Sequence, residues 1–196
     1  MRKLAYLMLL AVPLAGCSDT KSTWHKMWHH EAPPPAPPPP APVTAAPVVM
    51  HLISLKGEGK EIGTIALSDT PAGLSLVTDL KGLPAGKHGI HIHENGACGP
   101  GPVKGKNAAG GAAGGHLDPK KTGMHMGPMG EGHQGDLPVL DVAKNHTAKE
   151  TLVAPHLKVA DVKGRAIVIH KGGDNYSDKP KPLGGGGDRI ACGVIQ

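Results

Sequence analysis

The chain has 196 residues, with 21 Lys and Arg against 16 Asp and Glu, a formal net charge of +5 and no Phe. This length allows one domain with appended segments. The basic residues are dispersed and no aromatic stacking platform accompanies them, which argues against nucleic-acid binding. The 29 Gly and 20 Pro indicate turns and loops rather than helices, so the core must be built from Ile, Val, Leu and Ala.

Residues 1–16 have the composition of a secretory signal peptide. A basic pair is followed by an apolar run over 4–14 that is too short to span a membrane. The motif Leu14-Ala15-Gly16-Cys17 resembles the bacterial lipoprotein cleavage box and predicts a lipidated Cys17. Ordinary signal cleavage nearby, leaving a free Cys17, is the alternative. Ser18 after the cysteine favours the outer membrane, so we expect a periplasmic, lipid-anchored protein.

Residues 17–47 are predicted to form a tether. Eight residues from Pro33 to Pro40, seven of them Pro, favour an extended polyproline II conformation. Just before them lies a cluster of metal-binding side chains, namely His25, Met27, His29 and His30. This cluster could capture copper or zinc weakly, or it could be a polar tether with chance histidines. The second interpretation is slightly favoured, since nothing visible orders these side chains.

Residues 48–196 are predicted to fold as one all-β domain. Short apolar segments separated by turn residues predict strands, in chain order Val49–Leu55, Ile62–Leu67, Gly73–Leu80, His88–His93, Asp136–Val142, Glu150–Ala154, Arg165–His170 and Asp188–Ile195. About eight antiparallel strands without helical periodicity indicate a sandwich or barrel. Two long loops, from Gly96 to about Leu137 and from Lys171 to Gly187, are expected to be functional because loops of this length rarely serve only as connections.

The pair His91 and His93 is the strongest indication of chemistry. Residues i and i+2 of a strand project from one face, so these imidazoles form half of a transition-metal site. His88 would point from the opposite face and is not expected to bind metal. Further candidate ligands lie in the first loop and at a strand end, and they are His116, His125, His133, Asp136 and His170. A His₃Asp set suits zinc, and a histidine cluster on strands better suits copper.

Four motifs, in order and suitably spaced, identify a resemblance. They are HGIHIHENGAC at 88–98, AGGHLDP at 113–119, HMGPMGEGHQGDLP at 125–138, and IHKGGDNYSDKPKPLGGGGDRIACGVI at 169–195. Through them, residues 48 to 195 resemble the bacterial copper/zinc superoxide dismutases, here of a periplasmic lipoprotein type. The resemblance implies a Greek-key β-barrel or sandwich with two long functional loops.

The resemblance also implies one copper and one zinc per subunit. Copper would be bound by His91, His93, His116 and His170, and zinc by His116, His125, His133 and Asp136. His116 would bridge the metals as an imidazolate, and Asp174 would link the two sites by accepting imidazole N–H bonds. Cys98 and Cys192 would form a disulfide, in keeping with an even cysteine pair in an oxidising compartment once Cys17 carries lipid.

The implied reaction is the disproportionation of superoxide to dioxygen and hydrogen peroxide by a redox-cycling copper next to a structural zinc, which would protect the cell envelope. His116 would carry a proton to the product. Arg189 would dock the superoxide anion, and loop lysines could add to an attracting field, namely Lys120, Lys121, Lys171, Lys179 and Lys181. The alternative is an exported copper-binding or metallochaperone protein on the same domain. A monomer and a homodimer are both compatible with the pattern.

Three methionines crowd the zinc-binding stretch, and they are Met124, Met126 and Met129. We expect them to fill gaps or to be exposed loop residues. A soft contact to copper is the less favoured interpretation.

Overall fold

Strands and their connections make up most of the chain in the computed structural model, which describes residues 41–196 and positions 36 and 38. The strands are β1 Val48–Ser54, β2 Gly57–Thr70, β3 Gly73–Lys81, β4 Gly86–His88, β5 Ile90–His93, β6 Gly101–Val103, β7 Lys106–Ala108, β8 Leu140–Val142, β9 Thr147–Ala148, β10 Thr151–Ala154, β11 Ala166–His170 and β12 Arg189–Val194. The predicted signal peptide, Cys17 and the cluster at 25–30 lie outside the described residues.

One eight-stranded antiparallel sheet dominates this architecture. Its strand order is β10-β3-β2-β1-β12-β11-β5, and β9 pairs with β3. Two short antiparallel pairs, β4 with β8 and β6 with β7, complete the strands. The predicted all-β class is confirmed.

Helical structure in the described residues is limited to single turns. They are two 3₁₀ turns, Gly111–Ala113 and Leu183–Gly185, and the four-residue α-helix Val159–Val162. The sequence pattern predicted none of these turns. Among the described residues, no helix is long and apolar enough to cross a membrane.

The main core is aliphatic, as the composition predicts. Along β3, buried and exposed residues alternate towards its end, as expected for a strand with one face on the core. The largest fully buried side chains are Met50, Ile62, Ile65, Leu67, Leu74, Leu76, Leu80, Leu83, Ile90, Ile92, Leu137 and Leu140. Burial of each such side chain contributes roughly 1.5–3 kcal/mol to the stability of the fold. This packing holds in place the sheet on which the site is built.

The predicted strand Ile62–Leu67 is longer in the structure, where β2 spans Gly57–Thr70, and β6, β7 and β9 were not predicted. Two further strands differ for reasons of pairing. The segment 88–93 is divided at Gly89, because β4 pairs with β8 whereas β5 pairs with β11. The N–H of Gly89 donates instead to the carbonyl of Gly172, and its carbonyl accepts from His170. The strand predicted from Asp136 begins only at Leu140, because the preceding residues belong to the loop that turns the Asp136 carboxylate inward.

The chain joins the sheet slightly before β1. Thr44 forms a bridge with Ser68 of β2, and the N–H of Ala45 donates to the carbonyl of Leu67. The region 43–45 therefore lies along β2.

Candidate metal centre

The central strand of the site, β5, has two buried faces. Ile90 and Ile92 belong to the aliphatic core, and His91 and His93 project from the opposite face. All four residues are buried. The histidine face is therefore covered by other parts of the chain.

His170 joins this face from the neighbouring strand. In the register of β11 with β5, Val168 pairs with His91 and Ala166 pairs with His93. Alternation along β11 turns His170 to the same side, at the point where the pairing of β11 with β12 is irregular. The Nε2 atoms of His170 and His93 approach to 3.4 Å.

The free edge of β5 orders the first loop. The N–H of Glu94 donates to the Gly115 carbonyl, and the N–H of Leu117 donates to the Ile92 carbonyl. These two bonds flank His116 and hold it beside β5. The N–H of Ile92 donates to the Gly135 carbonyl at 2.9 Å, which brings the adjacent Asp136 to the same edge. Because backbone N–H and C=O groups need hydrogen-bond partners, the free edge of β5 positions two ligands of the loop, His116 and Asp136.

Two groups of ligand atoms result. The ring nitrogens of His91, His93, His116 and His170 all lie within 4.8 Å of one another, and so do ligand atoms of His91, His116, His125 and Asp136. His91 and His116 belong to both groups. His133 lies next to the second group, with its Nδ1 at 3.5 Å from Asp136 Oδ1. The structure therefore brings the four predicted copper ligands together, whereas the second group contains His91 in place of the predicted zinc ligand His133, which lies beside it.

Unpartnered ring nitrogens indicate that these groups fit metal ions. The buried atoms without a hydrogen-bond partner are His91 Nδ1, His116 Nε2, His125 Nδ1 and His133 Nδ1. Burying a polar atom without a partner is costly. Imidazole nitrogens and a carboxylate are suitable donors for copper and zinc, and ligation would satisfy all four atoms.

In His93, His116 and His170, the ring nitrogen Nδ1 faces a hydrogen-bonding oxygen. His93 Nδ1 lies 3.0 Å from the Gly114 carbonyl, and His170 Nδ1 lies 3.2 Å from the Gly187 carbonyl. A carbonyl accepts only a protonated nitrogen, so these bonds leave each Nε2 as the lone-pair donor. His116 Nδ1 lies 2.9 Å from Asp136 Oδ1.

Asp174 lies between the two groups, in the second loop. Its Oδ2 is 2.7 Å from His91 Nε2, and its Oδ1 is 2.7 Å from His125 Nε2. One carboxylate therefore orients a ring from each group, which is the arrangement predicted for it. Gly184, with φ of 66°, lies against this contact, and a Cβ atom there would overlap the carboxylate.

Burial and charge separate the two groups electrostatically. Burial lowers the pKa of His91, His93 and His116, and it lowers the pKa of His170 to about 4 with help from His116. For His125, burial also opposes the charge, but the carboxylates of Asp136, 2.9 Å from its Nδ1, and Asp174, 2.7 Å from its Nε2, overcome it and raise the pKa to about 9. Burial opposes ionisation of Asp136 and Asp174 too, yet their histidine hydrogen bonds hold both carboxyl pKa values far below the ordinary range.

An open cavity of about 400 Å³ leads to His116 and His170, and Arg189 lines it. The Arg189 guanidinium donates to the carbonyls of Gly110 and Gly114, each at 2.6 Å, and burial lowers its pKa. These bonds hold a cation beside the first ligand group, where it can attract a small anion.

The loop lysines are distributed unevenly around this cavity. Lys181 lies in its wall, Lys171 lines a neighbouring cavity that Arg189 also borders, and Lys120 lines a separate one. Lys121 and Lys179 line none of these three. Lys104, which the sequence did not single out, also lines the wall.

Contacts between the two long loops were missed by the sequence analysis. Asp178 Oδ2 accepts the backbone N–H of His125 at 2.9 Å, and its Oδ1 accepts that of Leu183 at 3.0 Å. The Tyr176 hydroxyl accepts the N–H of Val139 at 3.0 Å. Both residues lie within the long motif at 169–195, but no spacing rule predicts which distant N–H they bind.

His88 lies outside both ligand groups, at the end of β4 rather than in β5, yet it supports one ligand. It is buried, and its Nδ1 lies 2.7 Å from the His170 carbonyl while its Nε2 lies 2.9 Å from the Pro84 carbonyl. It therefore fixes the backbone at the end of β11.

A disulfide ties the first loop to the sheet. It joins Cys98, five residues after His93, to Cys192 in β12, across a sequence separation of 94. The paired sulfurs pack with Ala113, Ala166 and Val168 in a second, smaller core.

Comparison with known proteins gives consistent matches. The family described as copper/zinc superoxide dismutase (SODC) matches residues 61–195. The copper/zinc superoxide dismutase 2 of Salmonella typhimurium is 55% identical over 150 residues, which cover 76% of this chain and 87% of that protein. The copper/zinc superoxide dismutase of Escherichia coli is 51% identical over 150 residues, with the same coverage. The structure of the Brucella abortus copper/zinc superoxide dismutase matches with a TM-score of 0.75 at 50% identity, over 80% of this chain and all of that one.

Proposed function

The chain belongs to the copper/zinc superoxide dismutase family, and we propose that His91, His93, His116 and His170 hold its copper while His116, His125, His133 and Asp136 hold its zinc. The observation that carries this proposal is the position of His116. Its Nε2 has no protein partner, and its Nδ1 faces Asp136. One imidazole thus turns a different nitrogen to each ligand group.

The enzyme is an oxidoreductase that disproportionates superoxide to dioxygen and hydrogen peroxide with copper and zinc as cofactors. A copper-binding or metallochaperone protein on the same domain is not favoured, since the curated relatives at 51% and 55% identity are dismutases. Copper supplies the one-electron oxidation and reduction of substrate, and zinc, which has no redox chemistry, supplies fixed charge.

His116 is proposed to move the proton that the product needs. His116 lines the cavity that substrate would enter. Burial lowers the pKa of His116, so a proton taken up at Nε2 is readily given to a basic reduced oxygen species. With zinc bound, His116 Nδ1 and the Asp136 carboxylate, 2.9 Å apart here, would both be its ligands, which would hold the ring in place during this exchange.

Arg189 is proposed to bind superoxide at the cavity wall. Its two hydrogen bonds to carbonyls leave part of the guanidinium towards the cavity and prevent the side chain from moving away. A fixed planar cation binds a small anion without paying much side-chain entropy. Lys104 and Lys181 add positive charge at the same wall.

We also propose that the enzyme acts in the periplasm, tethered by a lipidated Cys17 through residues 17–47, as a monomer or homodimer that protects the envelope. The cleavage-box motif and the disulfide support export. Replacing Cys17 by Ser should move the protein from the membrane fraction to the soluble periplasmic fraction. Retention in the membrane fraction would contradict the anchor.

The metal assignment is tested by a matched pair of variants, His93→Gln and His133→Gln. Each removes one imidazole from only one proposed set. Metal analysis of purified protein should show copper reduced and zinc retained in the first variant, and the reverse in the second. Loss of the same metal from both variants would refute the two-set assignment.

The substrate role of Arg189 is tested in the same panel. Arg189→Ala should retain both metals, lower kcat/KM about tenfold and weaken its dependence on ionic strength, because local charge accelerates the capture of an anion. Arg189→Lys keeps the charge and should recover part of the rate. An unchanged rate in Arg189→Ala would remove this residue from the mechanism.

A further inference from the structure

Three methionines of the first loop are exposed. The exposed fractions are 49% for Met124, 45% for Met126 and 77% for Met129, whereas Met50 in the core is fully buried. The expectation of gap-filling side chains is therefore wrong for this loop, and the expectation of exposed loop residues is confirmed. Three large apolar side chains are thus exposed within six residues of one loop.

The backbone turns these side chains to one outer surface. His125, between Met124 and Met126, is buried with its ring in the metal centre. Neighbours on either side of an inward residue project outward together in extended chain. Met124 and Met126 therefore share the solvent side.

A turn brings the third methionine back towards them. The N–H of Gly130 donates to the Gly127 carbonyl at 3.3 Å, and the N–H of His133 donates to the Met124 carbonyl at 2.9 Å. The returning segment thus runs beside residues 124–126. A Cβ atom at Gly130 would overlap the Met126 Cβ, so the backbone of Gly130 lies against the Met126 side chain. Met129 directly precedes Gly130 in the chain and is therefore one residue away from this contact.

We propose that Met124, Met126 and Met129 form a surface site for Cu(I). Thioether sulfurs are soft donors that select Cu(I) over harder divalent ions, and the unbranched side chain has the rotatable bonds needed for three sulfurs to converge. The nitrogen and oxygen donors of the buried centre belong to a different ligand class. The surface site would hold a copper ion in addition to the buried metals, and it does not depend on their assignment.

Thioethers also differ from histidines in their response to pH. A thioether carries no proton in this range, whereas histidine must be neutral to bind a metal. Binding by the three methionines should therefore persist at about pH 5, below the ordinary histidine pKa of about 6.5. This separates the site from the histidines at 25, 29 and 30.

The test is an anaerobic Cu(I) titration of the full chain, already loaded with copper and zinc, at about pH 5 in competition with bicinchoninate. Wild-type protein should bind one more Cu(I) per chain than the variant M124L/M126L/M129L, whose affinity should fall at least about tenfold. Leucine keeps the apolar volume and removes the sulfur. Zinc content and the unfolding midpoint of the variant check that the loop is intact.

Wild-type protein supplies a second measurement that needs no variant. With ¹³C-labelled methionine methyl groups and Ag(I) as a redox-inert soft ion, the methyl resonances of Met124, Met126 and Met129 should shift together. The resonance of buried Met50 should stay in place and serves as the internal control. An equal Cu(I) affinity in the triple variant, or three loop resonances that do not move at saturating Ag(I), overturns the proposal.

Discussion

His91, His93 and His170 stand on strands, whereas His116, His125, His133 and Asp136 project from a loop. We call these the strand group and the loop group. The strand group is fixed by sheet register, with β5 and β11 paired over four residue pairs. The loop group is fixed by hydrogen bonds to the free edge of β5 and by carboxylates of the second loop. The same centre thus combines ligands held by regular pairing with ligands held by individual contacts.

One histidine of each group shows an opposite preference for charge, His170 in the strand group and His125 in the loop group. Burial without a nearby carboxylate partner holds His170 neutral, with a pKa of about 4, whereas two carboxylates raise the pKa of His125 to about 9. The strand group therefore presents neutral imidazoles at neutral pH. In the loop group, a dication must displace a proton from His125.

The largest effect is expected from removing the covalent tie between the first loop and the sheet. The variant C98S/C192S should lose about 4 kcal/mol of unfolding free energy, because the disulfide closes a loop of nearly a hundred residues in the unfolded chain. Zinc should be lost more readily than copper if the loop group depends on this tie. Denaturant unfolding with metal analysis measures both.

Reduced wild-type protein is the control for this variant and should match it. A loss of less than about 1 kcal/mol would mean that other contacts hold the loop as firmly as the disulfide. Equal loss of copper and zinc would remove the distinction between the two groups.

A smaller effect is expected from Asp174→Asn, which keeps the shape of the link between the groups. An amide can accept from only one of His91 and His125, so zinc affinity should fall about 10- to 100-fold, as for other residues that orient metal ligands. Copper affinity should fall less, because β5 still holds His91. Competition with a chelator for each metal measures the two affinities.

Asp178→Asn is the matched control for Asp174→Asn. It removes a carboxylate of the same loop that accepts backbone N–H groups and touches no imidazole. Similar loss of both metals in Asp174→Asn, or equal loss of zinc in the two variants, would contradict the role of Asp174 as the link.

A further prediction is a pH dependence of the metal-free protein. As pH falls from 6.5 towards 4, the unfolded state protonates the histidine at 170 before the folded state does, so stability is lost on the acid side. Protonated His125 contributes its full share of folding stability below pH 6.5, and this stability is lost as the pH rises through about 9. The unfolding free energy should therefore be highest near pH 6.5, with slopes of at most about 1.4 kcal/mol per pH unit for each group.

His125→Gln separates the two flanks of this profile. It should flatten the alkaline side and leave the acid side in place, as measured by denaturant unfolding of metal-free protein across the pH range. A wild-type profile without an alkaline decline would mean that the carboxylates do not hold His125 charged.

The sequence predicted well whatever depends on local periodicity. Alternation along Ile90–His93 predicted that His91 and His93 share a face, and the structure has this arrangement with Ile90 and Ile92 in the core. The absence of Phe predicted an aliphatic core. The motifs identified the family because their residues are read in order along the chain.

Contacts between distant loops were not predictable in the same way. Asp178 and Tyr176 each bind one backbone N–H of the other loop, and nothing in their own neighbourhood specifies that partner. The break at Gly89 and the late start of β8 at Leu140 depend on which strand is available for pairing. The exposure of Met124, Met126 and Met129 was likewise left open, since an apolar residue in a loop can pack or remain in solvent.

The sequence by itself determined the all-β class, the family and the residue types of the metal centre, because strand periodicity and ligand chemistry are local properties. The family resemblance implied roles for His116, Asp174 and Arg189, but only the tertiary structure shows the contacts: His116 Nδ1 faces Asp136, Asp174 joins His91 to His125, and Arg189 lines the cavity. These relations depend on the free edge of β5 and on the meeting of two loops far apart in the chain. Such meetings are set by the folding of the whole sheet rather than by any single segment.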